Sequence, residues 1–197
     1  MHVPEFRWLR MPLGPSARAP ALAMLSIIER SRFDSSPEAA RESFLAGRFL
    51  LRDLAGELTC TDPAAVKIEA HCPDCGGDHG RPMIVGTNLN VSLSRTKDIV
   101  VVAASWHAPI GIDIEVANPG AVAAVEALTD EASILHWTRV EAVLKADGRG
   151  LRVDPALVEV TDVDGAVHGR VRGSADRYLI THAEVAPDVL VSIAVRS

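Results

Sequence analysis

Apolar and polar positions repeat along the chain with two periods, and the points where one gives way to the other mark out its elements. Ser35-Ser36-Pro37-Glu38 is a helix start, with a hydroxyl N-cap, proline at the first helical position and an acid in the first turn. The helix it opens is predicted to run to about Leu58, burying Ala40, Phe44, Leu51, Leu54, Ala55 and Leu58. Arg41, Arg48 and Arg52 make a second stripe at helical spacing, which by itself reads as a solvated face. Ahead of this helix, Ala21 to Arg30 suits either a strand or a short helix.

From Ala65 the period becomes two. Val66 to Ala70, Leu89 to Ser94 and Ile99 to Ser105 are predicted strands, separated by a Gly-rich turn at Gly76 to Gly80 and by Arg95-Thr96-Lys97-Asp98. Ile110 to Glu115 alternates isoleucine with Gly111, Asp113 and Glu115, so a strand there sends the isoleucines into a core and both carboxylates to the opposite face. Beyond a turn at Asn118-Pro119-Gly120, a helical region from about Ala121 to Asp147 is predicted, with a break near Thr129-Asp130-Glu131 and a stop at Gly148-Arg149-Gly150. Strands follow at Leu157 to Thr161, Val167 to Val171 after an Asp164-Gly165 turn, Arg177 to Glu184 and Val189 to Val195. Each half thus holds one main helix and several antiparallel strands ending in a valine-rich one. The plan implies an α+β fold made of a pseudo-twofold pair of similar subdomains, 1–107 and 108–197, packed as one unit.

Composition narrows the function. Forty-eight per cent of the 197 residues are hydrophobic and the net charge is −6, so a sizeable core is expected and nucleic acid is not the expected partner. The basic N-terminus is interrupted by Pro4, Pro12, Pro15 and Pro20, giving no signal-peptide core, and no apolar run reaches the roughly 18–20 residues of a membrane span. A cytoplasmic protein, monomeric and off the membrane, is the expectation. Three cysteines are too few for a disulfide framework. His71, Cys72, Cys75 and His79 are zinc-ligand types at short spacing, but without a second cysteine pair the reading preferred from sequence is a Gly-rich turn with incidental thiols.

Asp113 and Glu115 lie roughly 6–7 Å apart, two strand rises, within reach of one divalent cation; the plain alternative is an edge strand with its acidic face in water. Asn90, Ser92 and Ser94 line one strand face that leads into Arg95, where hydroxyl and guanidinium donors suit a phosphate. Trp137, Glu141 and Lys145 share a helix face, which alone reads as a surface ion pair.

Taken together, the Asp-x-Glu strand and a Trp-x-x-x-Glu-x-x-x-Lys helix running into Asp147-Gly148-Arg149-Gly150-Leu151 resemble the Sfp-type 4′-phosphopantetheinyl transferases. Gly47 to Arg52, Gly80-Arg81-Pro82 and Asn90 to Ser94 also match, so the resemblance covers about residues 40 to 195. The chain departs from the pattern at Arg95 and Val140, where the family has His and Lys, and in the short stretch before Trp137. The resemblance implies a pseudo-twofold fold with the site between halves. It implies transfer of the 4′-phosphopantetheine arm of coenzyme A to a serine of an apo acyl or peptidyl carrier protein, leaving adenosine 3′,5′-bisphosphate. Asp113, Glu115 and Glu141 would hold Mg²⁺; Glu141 would take the serine proton and Lys145 would serve the leaving phosphate. Arg81, Ser94 and Arg95, with Arg48 and Arg41 adding charge, would contact the nucleotide end of coenzyme A. A relative that binds coenzyme A or a carrier without catalysis is the alternative.

Overall fold

The computed structural model describes residues 4–117 and 133–197; the turn at 118–120 and the helix expected upstream of Ser133 lie outside them. The described chain is α+β, with four α-helices and antiparallel sheets. Its described residues form two compact units, Glu5–Ala104 and Ser105–Ser197, the second also taking in Pro4.

In the first unit the central strand is β5 (Ile99–Ser105), a run of Ile, Val and Ala in which residues 99–104 are all buried, as expected of a strand covered on both faces. β1 (Glu5–Arg10) pairs antiparallel along one edge, Glu5 opposite Ala104 and Arg10 opposite Ile99, and β4 (Asn90–Arg95) takes the other edge. Three helices follow β1: α1 (Pro15–Ala23), α2 (Ile27–Ser35) and α3 (Glu38–Thr59). α3 supplies Phe44, Leu45, Ala46, Leu50, Leu51, Leu54 and Ala55 to the core. The two-residue strands β2 (Ile68–Glu69) and β3 (Met83–Ile84) pair antiparallel and hold the ends of a long connection.

Several expectations are corrected here. Ser36 ends α2 rather than capping α3, its Oγ donating to the Arg32 carbonyl at 2.7 Å, while Pro37 occupies the α3 N-cap position. Ala40 is exposed, and the buried face of α3 is wider than the predicted stripe because Leu45, Ala46 and Leu50 are inside as well. Ala21 to Arg30 spans two helices, parted at Ser26, whose capping box with Glu29 starts α2: Ser26 Oγ accepts from Glu29 N and Glu29 Oε2 from Ser26 N. The arginine stripe is no solvated face, since Arg48 and Arg52 are buried.

In the second unit five strands run in the order β6 (Ile110–Val116), β10 (Val189–Arg196), β9 (Tyr178–Ala183), β8 (Ala166–Val171), β7 (Val158–Val163), all neighbours antiparallel. The single α-helix described in this unit, α4 (Ile134–Asp147), packs on β6 and β10. Trp137, Val140, Val143 and Leu144 of α4 form its core with Val158, Val171, Tyr178 and Ile180 of the sheet. Ser133 caps the helix start, its Oγ accepting from His136 N, and Gly148 closes it by donating to the Leu144 carbonyl at 3.2 Å.

Candidate active site

β6 carries Ile110, Ile112 and Ile114 on one face, all buried, and Gly111, Asp113 and Glu115 on the other. The plain reading of an acidic face in water is overturned: α4 lies over it, and the Asp113 side chain is only 5% exposed. Gly111 makes this possible. A Cβ there would come within 2.0 Å of the Ala142 carbonyl oxygen and 2.5 Å of the Ala146 nitrogen, so any other residue would hold the helix off the strand.

With the helix that close, its one-turn neighbours Glu141 and Lys145 reach the strand acids. Lys145 Nζ donates to Asp113 Oδ1 at 2.5 Å and lies 3.7 Å from Glu141 Oε2. Burial pushes the Glu115 carboxyl above its ordinary range, Asp113 and Glu141 push it further, and Lys145 opposes them. Burial also raises Glu141; Lys145 opposes the shift and Asp113 adds to it. Four predicted site residues, Asp113, Glu115, Glu141 and Lys145, therefore share one electrostatic environment in this unit.

Three carboxylates facing one ammonium leave an excess of two negative charges, which is the charge a divalent cation brings. All the acidic donors are oxygen, the ligand type of Mg²⁺ rather than of zinc or copper. The oxygen chemistry suits the ion that the sequence resemblance implies, but in this structure Lys145 Nζ stands on Asp113 Oδ1 and the three carboxylates are not gathered as closely as the ligands of one metal ion.

Behind the acids runs a polar chain that sequence reasoning missed. Ser192 stands opposite Asp113 in the β6–β10 register. Its Oγ lies 2.7 Å from Thr138 Oγ1 and 3.4 Å from His182 Nδ1, and Arg139 Nη2 lies 3.1 Å from His182 Nε2. Ser192 and Thr138 are fully buried and tie α4 to β10 beside the carboxylates. A serine interrupting the apolar run of β10 was the only signal of it. Burial and the neighbouring Arg139 guanidinium lower the His182 imidazole below its ordinary value.

The remaining predicted residues belong to the other unit. Ser94 is buried and Arg95, the last residue of β4, is exposed; burial of part of its side chain and the nearby Arg32 cation lower the Arg95 guanidinium. Arg81 is half-buried in the connection to β3. Arg48 lies inside, with Nε 3.0 Å from Glu29 Oε1 but not aligned for a hydrogen bond, and its guanidinium over the Phe44 ring. Arg52 donates from Nη2 to Glu29 Oε2 at 2.6 Å. Arg41 donates to the carbonyls of Ser36 and Asp34 at the end of α2, both at 2.7 Å. Burial holds Arg48 down to about 10; Glu29 opposes this, and Arg32, Arg52 and Arg95 reinforce it. This unit therefore brings Arg32, Arg52 and Arg95 within electrostatic reach of Arg48, with Glu29 paired to the two buried guanidinium groups.

Compared with protein-family models and with curated proteins, the chain matches none. Among the described residues no helix is long and apolar enough to cross a membrane.

Proposed function

We propose that this chain is a 4′-phosphopantetheinyl transferase, moving the phosphopantetheine arm of coenzyme A to a serine of an apo acyl or peptidyl carrier protein with Mg²⁺. The observation that carries the reading is the convergence of Asp113, Glu115, Glu141 and Lys145 where α4 lies on Gly111. The fold reading attached to it is a pseudo-twofold pair of similar subdomains. In its favour, each unit sets a helix on a sheet through a glycine: Gly111 under Ala142, and Gly47 of α3, whose added Cβ would meet Leu93 of β4 at 2.7 Å.

In this reading Asp113, Glu115 and Glu141 hold the Mg²⁺, which when bound supplies charge neutralisation at a pyrophosphate. Glu141 accepts the proton of the carrier serine hydroxyl. A carboxyl raised by burial is a stronger base than an exposed one, which suits it to that task near neutral pH. The serine oxygen forms a bond to the phosphorus that carries the pantetheine arm, and the bond from that phosphorus to adenosine 3′,5′-bisphosphate breaks. Lys145, a compact cation already paired with Asp113, stabilises the negative charge on the departing phosphate. Asp113 orients Lys145, and Thr138 and Ser192 hold α4 in place behind it. Arg81, Ser94 and Arg95 are assigned to the 3′-phosphate of the nucleotide, where fixed cationic and hydroxyl donors are needed. Arg48 and Arg41 contribute charge and hold α2 against α3.

The test is a mass measurement. Purified chain incubated with coenzyme A, Mg²⁺ and a panel of apo acyl and peptidyl carrier proteins should raise the mass of at least one carrier by one phosphopantetheine. Coenzyme A binding by calorimetry with no mass increase across the panel would replace the transferase by a non-catalytic binder, and absence of both would end the reading.

A further inference from the structure

The connection between β2 and β3 runs from Ala70 to Pro82, and none of its residues from His71 to His79 is buried. A link of this length with no core of its own is uncommon unless something else orders it. Its backbone is nevertheless closed on itself. Gly76 N donates to the Cys72 carbonyl and Cys72 N to the Gly77 carbonyl, both at 2.8 Å, and Gly80 N donates to the Ala70 carbonyl at 2.6 Å. At Gly80 the two arms pass so closely that a Cβ would fall 2.1 Å from the His71 carbonyl oxygen.

This fold-back gathers Cys72, Cys75 and His79, with one ligand atom from each lying within 4.8 Å of the others. Cys75 Sγ is 3.0 Å from His79 Nε2 and accepts from Gly77 N at 3.4 Å. Ligands about 2.3 Å (S) and 2.1 Å (N) from a tetrahedral zinc stand roughly 3.6–3.8 Å from one another, so small side-chain rotations bring these three into place. Two sulfurs and an imidazole select a soft or borderline cation, unlike the all-oxygen donor set of Asp113, Glu115 and Glu141. Asp74 and Asp78 add negative charge around the loop, and the Gly77 amide is aimed at Cys75 Sγ. No cysteine elsewhere competes for these thiols as a disulfide partner, because Cys60, the third, is a free thiol at the end of α3.

We infer that the loop from Cys72 to His79 is a zinc site, in which Cys72, Cys75 and His79 bind one Zn²⁺ with the fourth position open to solvent and cross-link a segment that hydrophobic burial does not hold. The two thiols lose their protons on binding and the imidazole binds as the neutral base, so the metal and its protein ligands together carry no net charge. The sequence alone favours incidental thiols for want of a second cysteine pair; what favours zinc is the fold-back, which sets His79 Nε2 3.0 Å from Cys75 Sγ with Cys72 beside them.

The 197-residue chain, purified without chelator, should carry about one zinc per chain by elemental analysis. Cys72→Ser/Cys75→Ser should fall below about a tenth of that, whereas Cys60→Ser should retain it. After metal removal, Co²⁺ should produce a thiolate-to-cobalt charge-transfer absorption in the wild-type chain and none in the double variant. His79→Ala, which removes a direct ligand, should bind cobalt more weakly than the wild type. Because these readouts need no carrier or coenzyme A, they stand apart from the transfer reaction. Wild-type chain that binds neither zinc nor cobalt at micromolar metal overturns the proposal, and so does a Cys72→Ser/Cys75→Ser chain that keeps full zinc.

Discussion

Gly111 and Ala142 are in backbone contact: the position of a missing Cβ on Gly111 lies 2.0 Å from the Ala142 carbonyl oxygen. The acids of β6 and the charged face of α4 can meet only because that Cβ is absent. Gly111→Ala forces either the helix or the strand to move, and the neighbouring atoms are backbone, which cannot rotate away. The variant should lose about 1–3 kcal/mol or more of stability in a urea titration. It should also lose transfer activity out of proportion to its folded fraction, because Glu141 and Lys145 move with the helix.

Glu29 is the anchor of the first unit. Its carboxylate serves the Ser26 cap and both buried guanidinium groups, Arg48 and Arg52, with side-chain exposures of 10% and 3%. Glu29→Ala leaves two cations inside with no carboxylate on them and removes half of a capping box. A loss of about 3–5 kcal/mol is expected from the ion pairs alone. Glu29→Ala/Arg52→Met should recover part of it, and unfolding midpoints of the two variants make the comparison.

Tyr178, the chain's single tyrosine, is 1% exposed and its phenol is pushed up to about 12 by burial, reinforced by Asp147 and Asp176. In the unfolded chain it ionises near 10. Below both values it is neutral in both states and contributes no pH dependence. As pH rises past the unfolded value the unfolded chain alone loses the proton, so the folded state is destabilised, by up to about 1.4 kcal/mol per pH unit until the folded value is reached. Phenolate absorbance should therefore appear together with alkaline unfolding rather than before it. Tyr178→Phe should shift the alkaline unfolding limb to higher pH, and an unshifted limb would place the cause elsewhere.

Local periodicity made most of the strands readable. β5, β6, β8, β9 and β10 alternate or run apolar within a single segment, and their ends fall within a residue or two of the expected ones. β1 was missed because Arg7, Arg10 and the prolines around it mask a six-residue strand whose partner β5 lies some ninety residues further on, a pairing without a local signal. α1 was missed for a related reason: Pro20 falls inside it, where a proline reads as a break. The burial of Arg48 and Arg52 depends on Glu29 of α2, a helix that the sequence left open between two assignments. At the candidate site the residue types and their faces were legible from spacing alone. The closeness of β6 and α4 was not, because it follows from a tertiary contact at Gly111, and neither was the Thr138–Ser192–His182 chain, whose members come from three separate elements.

The account stands on the acids of β6 and α4 acting together on a divalent cation. Its most direct test is carrier mass gain by wild-type chain and by Asp113→Ala, with Mg²⁺ and with the metal chelated. The wild type should add one phosphopantetheine only when Mg²⁺ is present. Asp113→Ala should be slower by roughly a thousandfold, several kcal/mol of transition-state stabilisation, while remaining folded by circular dichroism. Equal turnover of wild type and Asp113→Ala, or wild-type transfer that persists after chelation, would contradict it.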